Sequence, residues 1–143
     1  MTKRSLAVHA FAIAAGFALA APASAEMLTM KVPLSGASEV PANTSPAKGS
    51  ADVTYDTASK KLTWKLSYSG LTGPATMAHF HGPAEAGKNA GVAVPIPNPS
   101  ASGAEGSATL NDTQAADLIA GKYYINVHTA AHPAGEIRGQ VTK

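Results

Sequence analysis

The run KLTWKLSYS, from Lys61 to Ser69, alternates without a break: Leu62, Trp64, Leu66 and Tyr68 fall on one side of an extended chain, and Thr63, Lys65 and Ser67 on the other. A helix would scatter these apolar residues around its circumference, whereas a strand gathers them onto a single face that must be buried. Shorter runs of the same kind recur at Leu28–Leu34, Ala51–Tyr55, Ala75–His81, Gly91–Ile96, Gly106–Leu110, Lys122–His128 and Glu136–Val141. Clusters of Gly, Pro, Asn and Ser separate them, most clearly from Pro41 to Gly49 and from Pro97 to Gly103. Seven or eight short strands at this spacing predict an all-β antiparallel sandwich or barrel. One segment departs from the pattern. Leu110–Gly121 has a polar start, Ala and Leu in the middle and a terminal Gly, which predicts one short helix near residues 112–120.

The first 25 residues read as a signal peptide: Lys3 and Arg4 precede an alanine-rich apolar run, and Ala23-Ser24-Ala25 supplies a small-residue cleavage site. Residues 26–143 would then form a single domain with one core. Lys3 and Arg4 are two of the chain's 11 basic residues, so the nine that remain balance nine acidic ones, and the formal charge of +2 belongs to the leader. A neutral domain without a basic patch argues against a nucleic-acid partner. No later segment is long and apolar enough to span a bilayer, so cleavage would leave no transmembrane anchor and a periplasmic or secreted protein. Cysteine is absent. The fold is therefore not cross-linked, and any metal site must use His, Met or carboxylate donors.

His9 lies in the leader, and the other four histidines form two close pairs. In the strand from Ala75 to His81, alternation places Met77, His79 and His81 on one face and Thr76, Ala78 and Phe80 on the other. Tyr123, Ile125 and Val127 likewise form an apolar stripe that leaves Tyr124, Asn126 and His128 opposite, and His132 follows in a turn able to fold back. If the two strands are neighbours, His79, His81, His128 and His132 converge as a mononuclear four-histidine site. Imidazole suits copper and zinc; four nitrogens without thiolate point to copper, with zinc as the competing ion. Met77 would be a candidate axial thioether. Glu136 and Arg138 alternate on the last strand and could face the histidines. No nucleophile elbow of the G-x-S-x-G kind is present, which removes the usual signature of a hydrolase triad.

Five segments together resemble the CHRD domain, a module named from chordin and found in exported bacterial proteins: LSGASEVP (Leu34–Pro41), LSYSGL (Leu66–Leu71), AHFHGPA (Ala78–Ala84), LIAGKYYINVH (Leu118–His128) and PAGEIRGQV (Pro133–Val141). More loosely, AHFHG is similar to the copper-binding His-x-His strand of Cu,Zn superoxide dismutases. These resemblances imply a Greek-key β-sandwich, immunoglobulin-like or superoxide dismutase-like, with His79 and His81 as copper ligands. The dismutase disulfide and zinc loop have no counterpart here, so the analogy reduces to a copper-only site, near which Arg138 would take the role of guiding an anionic substrate. Three functions follow as expectations. The first is an exported protein that captures, buffers or delivers copper, with a copper-donating or copper-accepting protein as partner. The second is a copper-dependent dismutase-like enzyme. The third is a sandwich that presents loops such as Pro41–Pro46 and Pro97–Ser102 to a protein or glycan.

Overall fold

The computed structural model describes residues 24–143; the expected leader, apart from Ser24 and Ala25, lies outside them. Eight strands follow in chain order: β1 (Met27–Ser35), β2 (Lys48–Asp56), β3 (Lys61–Ser69), β4 (Ala75–His81), β5 (Val92–Pro95), β6 (Ala104–Thr109), β7 (Tyr123–Thr129) and β8 (Ile137–Val141). A 3-10 turn, Gly36–Ser38, follows β1, and helix α1 (Asp112–Ile119) joins β6 to β7. The helix begins at Asn111, whose side chain accepts from the Gln114 backbone while Gln114 bonds back to the Asn111 amide. That reciprocal cap is the polar start visible in the sequence.

The strands form one antiparallel sheet in the order β5-β4-β7-β8-β1-β2-β3-β6. Its two halves are joined at β8 and β1 by the single pair Ser35–Arg138. Although β3 and β4 stand far apart in this order, the Trp64 and Phe80 rings meet edge to face with centroids 5.2 Å apart. The sheet is therefore rolled until its ends nearly close, and the apolar faces meet in one core. Leu28, Met30, Val32 and Leu34 alternate into it from β1, Leu62, Trp64 and Leu66 from β3, and Ile125 and Val127 from β7. The opposite face of β1–β2–β3–β6 is wet and carries a cross-strand row of opposite charges, with Lys31 bonded to Asp52 and Lys65 to Glu105.

Strand β4 corrects one expectation. A bulge between Ala75 and Met77 takes Thr76 out of the alternation, so that Thr76 is exposed and donates to the His128 carbonyl instead of sharing a face with Ala78 and Phe80. From Met77 onward the pairing with β7 is regular, and Met77, His79 and His81 share a face.

Core burial of this kind makes a simple prediction. Phe80 is fully buried against Trp64, so Phe80→Ala should lower the unfolding free energy by about 3–5 kcal/mol in urea denaturation. Lys31→Ala, which breaks only an exposed ion pair, should leave the midpoint unchanged within error.

Candidate metal centre

The strand β7 is buried along its whole length. Tyr123, Ile125 and Val127 face the core, so the opposite face, with Tyr124, Asn126 and His128, must be covered by something else. Its neighbours in the sheet are β4 and β8, and register sets three cross-strand rows on this face: Met77 beside His128, His79 beside Asn126 and Arg138, and His81 beside Tyr124 and Gln140. The loops at residues 82–91 and 130–136 supply the cover through their backbone carbonyls.

Three imidazoles converge there. One nitrogen from each of His79, His81 and His128 lies within 4.8 Å of the other two, and the ring centroids are 5.1 to 6.2 Å apart. His81 Nδ1 is 3.0 Å from the Ala90 carbonyl, and His128 Nδ1 is 3.0 Å from the Pro133 carbonyl. A carbonyl can only accept, so both Nδ1 atoms carry a proton, and in the neutral form of each ring it is Nε2 that presents the lone pair. His81 Nε2 is buried and has no hydrogen-bond partner. His79 Nδ1 stands 3.3 Å from His128 Nε2. Two nitrogens on one ion at about 2.0–2.1 Å with tetrahedral angles would be separated by roughly 3.3–3.4 Å, so this spacing suits two ligands as well as it suits a hydrogen bond.

Burial holds the pKa of His79 below the ordinary imidazole value, and the neighbouring His128 and His81 lower it further. Burial likewise lowers His128; its bond to the Pro133 carbonyl opposes the shift, and His81 adds to it. Both rings are thus neutral near pH 7, the form that coordinates a metal. His81 and His128 are buried and His79 is partly exposed, so the group opens to solvent on the His79 side.

The remaining sequence candidates take other places. His132 stands outside the three-histidine group; it forms a turn with Thr129 and lines a cleft of about 220 Å³ with Glu39, Asn43 and Gly135. Arg138 is not placed to guide an anion. It is 1 % exposed, donates to Asn89 Oδ1 at 2.9 Å and to the Lys88 carbonyl, and lies 3.4 Å from the centre of the Tyr124 ring. Because β7 lies between β4 and β8, the other face of Tyr124 meets His81, stacked with centroids 4.8 Å apart. The Tyr124 hydroxyl donates to the Ala90 carbonyl, the same oxygen that holds His81. Arg138 therefore clamps the loop that orients His81.

Glu136 is fully buried away from the rings. Burial alone would raise its pKa, but donors from Thr129, Ser45 and Thr72, the last through both hydroxyl and amide, hold it at about 2. Asn43 donates to the Glu136 carbonyl, so the Pro41–Pro46 loop, expected as a display loop, is tied into the fold.

Glu39, Tyr124 and Asn126 complete the covered face. Alternation placed Tyr124 and Asn126 beside His128, so their presence was legible; Glu39 follows a turn and no periodicity marks it. The Ala90 and Pro133 carbonyls have no side-chain signature at all. Gly135, with φ of 131°, is required where it stands, since a Cβ would come within 2.3 Å of Glu39 Oε1 and 2.6 Å of Asn126 Nδ2.

The structure is thus an all-β domain whose half-covered polar face brings together three imidazoles that could hold a metal ion. The chain belongs to the CHRD domain family, whose model matches residues 30–141. Neither the comparison with curated proteins nor that with solved structures gives a match, so the likeness to a dismutase strand rests on the His79–His81 pair.

Glu39 generates a pH prediction. Burial raises its carboxyl to about 7, against the opposing pull of Arg138 and the Asn126 amide, and Oε1 lacks a hydrogen-bond partner of good geometry. Its folded-state pKa lies above the unfolded value, so the folded chain binds the extra proton between about pH 4.5 and 7 and loses stability as pH rises through that window. Glu39→Gln should be free of this loss, gaining about 3 kcal/mol on the wild type between pH 4.5 and 8 in urea denaturation.

Proposed function

We propose that this protein is an exported copper-binding protein that captures, buffers or delivers the ion through a mononuclear site of His79, His81 and His128. The observation that carries this reading is the pair of Nδ1-to-carbonyl bonds from His81 and His128, which in the neutral rings leave Nε2 as the lone-pair nitrogen, that of His81 buried without any partner, in a group whose nitrogens lie within 4.8 Å of one another. A buried acceptor left unpaired costs about 1–3 kcal/mol, and a metal ion removes that cost. Carbonyl partners on the far ring nitrogen are also what fixes a ligating histidine in other metal centres. Copper is favoured over zinc by its higher place in the divalent affinity order and by a donor set of imidazoles without thiolate. Export is supported by the leader-like segment at residues 1–25. Among the described residues, no helix is long and apolar enough to cross a membrane.

Three ligands leave a fourth position free, which suits exchange with a copper-donating or copper-accepting protein. The same opening is what a dismutase-like centre would need, but the buried Arg138 removes the cation expected to draw in superoxide.

Titration of the mature protein with Cu(II) and Zn(II) against a competing chelator tests the reading. His81→Ala should weaken copper at least tenfold, about 1.4 kcal/mol, and excess copper should raise the melting temperature of the wild type more than that of the variant. Copper affinity unchanged in the triple variant of His79, His81 and His128 to Ala would sink it.

A further inference from the structure

The end of the histidine group near His81 is closed. Tyr124 stacks on His81, the Ala90 carbonyl holds its Nδ1, and the loop carrying Ala90 is fastened by Arg138. At the other end stands Met77. It is the direct cross-strand partner of His128, shares the face of His79 and His81, and is 47 % exposed. Directly paired side chains have Cβ atoms about 4.5–5.5 Å apart, and Met77 is two residues from His79, about 6–7 Å along the strand. Three rotatable bonds let a thioether swing across such gaps.

The other methionines of the described residues are placed differently. Met30 is packed in the core, and Met27 lies at the far end of β1, paired with Asp56. An exposed methionine on the strand that carries two of the histidines, in a chain without cysteine, is the one soft donor within reach of the group among the described residues. Thioether sulfur favours Cu(I), and it adds little for Zn(II), which prefers nitrogen, oxygen or thiolate.

Resting on the histidine site proposed above, we infer that Met77 is the fourth donor for cuprous ion, so that the cargo of this protein includes Cu(I), bound by three imidazoles and one thioether. The half-exposed sulfur takes the free position from the open side, where an ion arrives and leaves. Cu(II) and zinc use the histidines and leave the sulfur aside.

The test compares wild type, Met77→Leu and His81→Ala as whole mature proteins. Cu(I) affinity is measured anaerobically against a Cu(I)-specific chelator, Zn(II) affinity against a zinc chelator, and the Cu(I)-loaded proteins are examined by X-ray absorption. Met77→Leu keeps the side-chain bulk at an exposed position and should fold normally. It should bind Cu(I) at least tenfold more weakly, hold Zn(II) within about twofold of wild type, and lose a sulfur scatterer that the wild type shows. His81→Ala should weaken both ions. Equal Cu(I) affinity in wild type and Met77→Leu, or a Cu(I) site with nitrogen scatterers alone, overturns the role of Met77 and leaves the histidine site standing. Wild type and His81→Ala alike in every metal measurement overturns the histidine site and this inference with it.

Discussion

A strand buried on both faces, with apolar side chains on one and polar side chains on the other, can persist only if its polar face finds partners that are not water. The strand β7 is such an element, and much of the molecule follows from covering it. Apolar packing across the rolled sheet covers Tyr123, Ile125 and Val127. On the other side, the 82–91 loop brings the Ala90 carbonyl to both His81 and Tyr124, and the turn before β8 brings the Pro133 carbonyl to His128. Backbone oxygens accept and never donate, so the cover decides which nitrogen of each ring carries its proton.

The charges buried around this face are few, and each is handled differently. Arg138 spreads its charge over the Tyr124 ring and two loop acceptors. Glu136 collects donors from three separate segments and stays ionised, binding the loop after β1, the loop after β3 and the end of β7 together. Glu39 has the opposite fate: little reaches its buried oxygen, and burial keeps its proton on to near neutral pH. Two carboxyls of the same type thus diverge according to how many donors each receives.

The function proposed here grows from the same cover. Loops that close one end of the histidine group and leave the His79 and Met77 end open produce a site with fixed donors and one accessible direction. Such a site suits an ion that must be taken up and released again. Clamping by Arg138 gives that residue a positioning role, in place of the electrostatic guidance that a dismutase analogy implied.

The alternation of Lys61–Ser69 and its companions determined the strands, because period two has one structural meaning and the apolar face must be buried whatever the topology. The same periodicity put His79 and His81 on one side of β4 and Tyr124, Asn126 and His128 on one side of β7. The polar cap at Asn111 marked the helix for an equally local reason. What no periodicity contains is which strands are neighbours. Pairing of β4 with β7 brought three histidines together and left His132 in a different cleft, because a turn two residues wide, between Thr129 and His132, carries that ring past the end of the strand. The bulge at Thr76, the buried place of Arg138 and the Ala90 and Pro133 carbonyls also belong to the tertiary structure alone, since a backbone oxygen is the same in every residue and only folding gives it an address.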